Sequence, residues 1–282
     1  MDWSKAKSIL IIALIITNSI LFGFNLYNKY MTKDLLNTKK FIEETQELLE
    51  KRGIKIDCTI PRYQDKLPSL RVEFENYNPI STNEIFFKSK GTVESPNSTL
   101  TQINYKNNLI TIINNRRIRY ESSGDDEVYN LKNFDDAKKI AEEFLIKNKF
   151  DTDDMELTHT EKLDGNYYLN YSKVYEGIIV ERSYTNLIVN NTGIVSMDRL
   201  WLNVTDTSSS NIKLISASKA LLSLLDENEY YNRTIKSIEI CYYFDPEAQG
   251  YVEDITKAEQ GRAIPAWRIQ FDDGENIEID NF

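Results

Sequence analysis

Apolar and polar positions along this chain fall into three regimes. In the first, Ile9 to Ile16 is an unbroken apolar run, Ile20 to Phe24 is a second, and no charge interrupts the chain from Ser8 to Asn28. At about 1.5 Å per residue this stretch covers roughly 30 Å, the thickness of a bilayer's hydrocarbon core. In the second regime, Met31 to Gly53 has helical composition and no proline. Leu35, Leu36, Phe41, Ile42, Leu48 and Leu49 suit one amphipathic stripe there, with Gly53 at the C′ position. This helix reads as a stalk that continues the membrane helix.

The third regime is the body. From Ile54 to Glu121 it reads as short strands and turns: Arg71 to Phe74 and Ile103 to Ile113 are β-like, with a turn at Asn107-Asn108. The polar run Ser122-Ser123-Gly124-Asp125-Asp126 is the clearest linker and divides the body into 29–121 and 127–282. Beyond it, Asn133 to Lys149 is an amphipathic helix with Phe134, Ala137, Ile140, Ala141, Phe144 and Leu145 on one face. Strands follow at Met155–Leu163, Tyr167–Tyr175, Ile178–Val189 and Ile194–Val204, the last two joined by a hairpin at Asn190 to Gly193. Ser216 then offers an N-cap to a second helix that buries Ala217, Ala220, Leu221, Leu224 and Leu225. Strands at Ile235–Phe244, Ala266–Phe271 and Asn276–Ile279 close the chain, with a turn at Asp273-Gly274. Helix followed by antiparallel strands, twice, predicts an α+β body with packed helices.

The bulky Leu21 to Tyr27 stands where a cleavable signal peptide needs small residues, so an uncleaved anchor over 8–28 is expected. Lysines flank the span on both sides, and charge alone does not orient it. A short tail, 1–7, ahead of a large body predicts the tail in the cytoplasm and the body outside. The centre of the span is polar. Asn18 and Asn25 lie on one helix face, and Ser19 and Gly23 form a small-xxx-small pair. An amide in hydrocarbon seeks a hydrogen-bond partner and small residues admit a second backbone. These four residues are therefore the candidate contacts to another transmembrane helix, against the simpler reading of a tolerated polar residue in a plain anchor.

Composition mainly excludes. Lys plus Arg number 34 against 44 Asp plus Glu, a net charge of −10, which disfavours nucleic acid as a partner. Two cysteines, Cys58 and Cys241, cannot build a disulfide framework or a four-cysteine zinc site, though they are compatible with one disulfide outside the cytoplasm. His159 is the one histidine, so two-imidazole sites are excluded, and its setting reads as an exposed strand. No phosphate loop, dinucleotide fingerprint, zincin helix, CxxC or nucleophile elbow occurs. The acidic run Asp151 to Asp154 begins like a calcium loop, but Glu156 and Lys162 occupy its glycine and closing glutamate positions. No cofactor, metal or catalytic residue is expected. The adjacent tyrosines Tyr167-Tyr168, Tyr230-Tyr231 and Tyr242-Tyr243 read as half-buried strand pairs.

Several segments together resemble the YycI family of Gram-positive bacteria. They are Met1-Asp2-Trp3-Ser4-Lys5-Ala6-Lys7 running into the span, Leu48 to Ile54, Ile60-Pro61, Lys66 to Val72 and Ile264-Pro265-Ala266-Trp267-Arg268-Ile269. The resemblance runs from end to end, strongest at the termini, and none of its motifs is catalytic. It implies a single-span, non-enzymatic cell-membrane protein with an α+β extracytoplasmic part. With a YycH-like companion, such a protein would modulate the sensor histidine kinase of the WalK/WalR two-component system, which governs cell-wall metabolism. Contact would run largely through transmembrane helices. Two other classes stand beside it: an anchored binding module for wall polymer or a secreted ligand, and an anchored hydrolase using paired carboxylates.

Overall fold

The structure is a computed structural model of the chain and describes residues 3–35, 39–62, 66–124, 129–247 and 252–280. The elements begin with α1 (Trp3–Leu35), α2 (Lys39–Glu50), β1 (Lys55–Ile56), β2 (Lys66–Phe74) and α3 (Pro79–Phe87). Next come β3 (Thr92–Asn97), β4 (Leu100–Tyr105), β5 (Asn108–Ile113), β6 (Arg117–Ser122) and α4 (Phe134–Lys147). Then follow β7 (Met155–Leu163), β8 (Asn166–Tyr175), β9 (Ile178–Asn190), β10 (Gly193–Leu200) and β11 (Leu202–Lys213). The chain closes with α5 (Ala217–Leu222), β12 (Thr234–Tyr243), β13 (Gln260–Phe271) and β14 (Asn276–Ile279). The class is α+β, an apolar N-terminal helix followed by a body rich in antiparallel sheet. Among the described residues β1 nevertheless pairs with β12, and β12 with β9, in parallel. Two compact units form, one from 1–65, 215–239 and 267–281, the other chiefly from 66–214 and 240–266.

In the first unit, α2 buries Ile42, Thr45 and Leu49, one turn and two turns apart, while Leu48 stays exposed. The stripe is thus narrower than the leucine pattern suggests. Residues 36–38, between α1 and α2, lie outside the described residues, and Leu36 with them. Gly53, at φ 78°, ends the helix: Ile54 N–H donates to Leu49 O at 3.0 Å and Gly53 N–H to Glu50 O at 2.9 Å, the paired bonds of a Schellman turn. A Cβ on Gly53 would also run into the Asn232 side chain. The turn sends the chain into β1, which pairs with 234–235 of β12, and α2 packs on α5. Ser216 caps α5 by accepting from Lys219 N–H at 3.3 Å. Trp267 lies fully buried, its indole N–H donating to Ile215 O at 2.8 Å. Around Phe271, the Tyr230 ring stacks at 5.6 Å and the Arg233 guanidinium sits 3.9 Å from the ring centroid. Tyr230 belongs to a short 3-10 turn rather than a strand.

The second unit is built on sheet. Its strands run β12–β9–β10–β6–β5–β4–β3, with β7–β8 added beside β9 and with β11, β2 and β13 paired in that order. Strand periodicity of two puts Ile110, Ile112, Ile118, Tyr120, Leu169, Leu187, Val189 and Met197 on one face. Ala137, Ala141 and Leu145 of α4 cover that face, and Phe87 of α3 joins the same core. Asn133 caps α4 through Asp136 N–H at 3.0 Å. A second core gathers Leu70, Val72, Phe74, Leu200, Leu202, Tyr242 and Phe244.

Two sequence expectations are corrected here. The stretch 54–121 contains α3 in addition to strands and turns. The helix carries no apolar stripe: Thr82, Asn83 and Phe87 are its buried positions and Ile80 is 78% exposed. Its signal was the start, where Asn78 Oδ1 accepts from Ile80 and Ser81 N–H and Pro79 supplies the first turn. The strand expected over Ile194–Val204 is two strands, β10 and β11, separated at the buried Trp201 and followed to Lys213.

Tyr171, on β8, is buried with a hydroxyl that has no partner among the described residues. Burial, with a smaller push from Glu142, raises the phenol from 10.0 to about 12. The folded state therefore holds the proton more tightly than the unfolded chain. Stability from this group is intact below pH 10 and is lost as pH rises through about 12. Tyr171→Phe should raise stability by about 1 kcal/mol at neutral pH, by removing an unsatisfied polar atom. It should also flatten the alkaline limb of the stability curve. Denaturant midpoints against pH check both, and a destabilised variant would mean the hydroxyl is satisfied.

Candidate functional site

Helix α1 carries the four residues that the sequence singles out as candidate contacts. Its apolar segment Leu10–Tyr27 is exposed, with none of it buried among the described residues. Eighteen residues of helix cover about 27 Å, enough for a hydrocarbon core. Thr17 spends its hydroxyl inside the helix, donating to Ala13 O at 2.9 Å. Asn18 and Asn25, seven residues apart, share a stripe, and Ser19 and Gly23 share another. At 100° per residue the two stripes point about 130° apart, so the four candidate residues do not converge on one face. A Cβ built on Gly23 meets nothing within 4 Å, so the fold of this chain does not itself require glycine there.

A cleft of about 400 Å³ in the second unit is the other candidate. Helices α3 and α4 and the tips of the β4–β5 and β9–β10 hairpins enclose it. Its wall is aromatic: Phe86 stacks on Tyr120 at 6.0 Å and meets Phe144 edge-on at 6.1 Å, while Tyr120 and Phe144 lie 5.1 Å apart. Tyr120 donates its hydroxyl to Asn108 Oδ1 at 2.9 Å, which turns the Asn108 amide nitrogen away from that bond. Lys106, at φ 51° in the tip between β4 and β5, holds its ammonium 5.6 Å from the centroid of Tyr105. Lys147 stands in the last turn of α4. Glu143, on the same helix, is paired with Lys139 at 4.0 Å. Neither Lys106 nor Lys147 has a carboxylate partner among the described residues. The Tyr129 ring lies so close to Gly193 that a Cβ there would sit 3.0 Å from Tyr129 Cε2.

No local pattern in the sequence marks this cleft. It depends on α3, whose start at Asn78-Pro79 was the available clue, and on hairpin tips brought together from distant parts of the chain.

Groups suited to catalysis stay apart. His159 is exposed on β7. Cys58 is half-buried and Cys241 buried, both as thiols, and burial followed by Asp57 and Glu239 pushes the Cys58 thiol up, away from nucleophilic character. Among the described residues no group of three or more His, Cys, Asp or Glu is placed to hold a metal. Asp125 and Asp126 fall outside the described residues, while Asp151 to Asp154 form the loop ahead of β7.

A family model described as YycI protein matches residues 32–282. No curated protein matches the chain. Among solved structures, an uncharacterized protein from Eubacterium rectale ATCC 33656 aligns with a TM-score of 0.52 at 13% identity, over 80% of this chain and 86% of that one. That likeness concerns the fold alone. The Bacillus megaterium YpeB C-terminal domain aligns with a TM-score of 0.37 at 9% identity, over 73% of this chain and 100% of that one.

Proposed function

Since the chain belongs to the YycI family, a regulatory family tied to the YycFG (WalK/WalR) two-component system, we propose that it is a non-enzymatic, membrane-anchored modulator of the sensor histidine kinase, working with a YycH-like companion. Residues 1–7 lie in the cytoplasm, 8–28 span the membrane and the body stands outside. The observation that supports this reading beyond the family is α1, an apolar helix that no described residue of its own chain buries and that carries an Asn18/Asn25 stripe and a Ser19/Gly23 stripe. The Asn18/Asn25 stripe offers interhelical hydrogen bonds and the Ser19/Gly23 stripe offers close backbone approach. With about 130° between them, one helix engages two neighbours, the kinase on one side and the companion on the other. Such a protein changes kinase output only by binding its signalling states with different affinity.

Exchange of the span for a plain leucine helix is expected to leave anchoring intact and abolish the effect on kinase output. Polar contacts between membrane helices are each worth only about 0.6–2 kcal/mol, so Asn18→Leu with Asn25→Leu should weaken one partnership, and Ser19→Leu with Gly23→Leu the other, each by about tenfold or more. In-membrane crosslinking of the full chain, with output of the response regulator as the second readout, measures both. Unchanged kinase output and unchanged captures after span exchange would defeat the proposal.

A further inference from the structure

We infer that the cleft of the second unit is a binding site for a carboxylated sugar. Three half-buried aromatic rings, Phe86, Tyr105 and Phe144, backed by the buried Tyr120, give it apolar patches of the kind that the flat C–H face of a sugar ring covers. Its polar lining is short-reach hydrogen-bonding chemistry suited to hydroxyl and amide groups: the Asn108 amide and the Ser122 and Thr192 side chains. Its charge sets the ligand's sign. In a chain of net charge −10, the cleft places Lys106 and Lys147 on its lining without a carboxylate partner among the described residues, and its one lining carboxylate, Glu143, is engaged by Lys139. A neutral sugar would stack on the rings without pairing with either ammonium group, whereas a sugar acid also supplies a carboxylate for them.

The volume, about 400 Å³, lies within the range that encloses small ligands, so the site takes one or two sugar rings rather than a long polymer. Tyr129 against Gly193 and the bond from Tyr120 to Asn108 hold two sides of the lining in place before any ligand arrives. The inference rests on the proposed outward orientation for access to wall-derived sugars. Binding itself is read without any kinase, so the two stand or fall separately.

The test uses the full chain in detergent micelles and a matched pair of probes, N-acetylmuramic acid and N-acetylglucosamine, which differ by one carboxylate-bearing ether. Titration followed by NMR or calorimetry is expected to show the acid binding at least about tenfold more tightly than the neutral sugar. Lys106→Gln with Lys147→Gln should remove that preference while leaving weak binding of both sugars. Phe144→Ala should weaken both alike, and an unchanged circular dichroism spectrum and melting temperature would show that the variants are folded. No binding of either sugar, equal binding of both, or a preference that survives loss of both lysines would overturn the assignment. So would chemical-shift changes mapping away from α3, α4 and the two hairpin tips.

Discussion

Arg199→Ala is expected to cost about 3–5 kcal/mol of stability, the scale of breaking a buried ion pair from one side. Arg199 is fully buried on β10, where an ionised group survives only if its donors are met. They are met closely. Nε and Nη2 donate to the two carboxylate oxygens of Glu75, both at 3.0 Å, and Nη1 donates to Thr185 Oγ1 at 2.7 Å. The guanidinium lies 4.2 Å from the centroid of Trp201 and 5.0 Å from that of Phe150. Tyr77 donates its hydroxyl to the same Glu75 carboxylate, and burial, with Glu75 beside it, holds that phenol protonated well above the ordinary range. Removing the guanidinium leaves the Glu75 carboxyl and the rings without their cation. Arg199→Met combined with Glu75→Gln should recover most of the loss, because the amide still accepts from Tyr77 and no unpaired charge remains. Urea unfolding of the three proteins, with hydrogen exchange at β2, β9 and β10, measures this. A single-variant loss below about 1 kcal/mol, or a double variant worse than the single, would show that Arg199 is not balanced by Glu75.

Trp267→Ala should destabilise the first unit by about 3–5 kcal/mol, the largest effect expected there. The residue is fully buried in β13, so deletion of its indole opens a cavity that the neighbouring strand β14, paired at Trp267–Ile279, is too constrained to fill. The substitution also takes away the donor at 2.8 Å from Ile215 O, just ahead of the capped start of α5. Trp267→Phe separates the two causes. It keeps most of the ring volume but removes the indole donor to Ile215 O, and should cost about 1–3 kcal/mol. Hydrogen exchange at β13, β14 and α5 should rise in both variants, more in the alanine one. If phenylalanine were as damaging as alanine, the hydrogen bond rather than the packing would carry the residue's weight.

These two residues stood differently in the sequence. Trp267 lies in an alternating apolar–polar run, Trp267 to Phe271, from which a half-buried strand was readable, and in one of the segments that carried the family resemblance. Arg199 lay inside an expected strand with nothing local to mark it as buried, since its partner Glu75 is 124 residues away. Of the candidate site, the placement of Asn18, Ser19, Gly23 and Asn25 along a helix was legible because helical spacing follows from sequence once a helix is granted. That they split between two stripes follows from the same geometry. The cleft was not legible: Phe86, Tyr120 and Phe144 come from α3, β6 and α4, and no local pattern relates them.

What the sequence determined by itself is everything carried by short-range physics. That includes the apolar N-terminal helix, the amphipathic α4, the Ser216 cap of α5, the Gly53 helix stop, the hairpins at 190–193 and 273–274, and the α+β class. Periodicity, capping and turn chemistry each act over a few residues, so each leaves a local signature. Tertiary structure alone decided the parallel pairing of β1 with β12, the division of β10 from β11 at Trp201, the burial of Arg199 against Glu75, and the aromatic cleft with its two lysines. Each of these depends on contacts between residues far apart in the chain. Their free energy comes from burial and pairing that exist only after the strands have assembled.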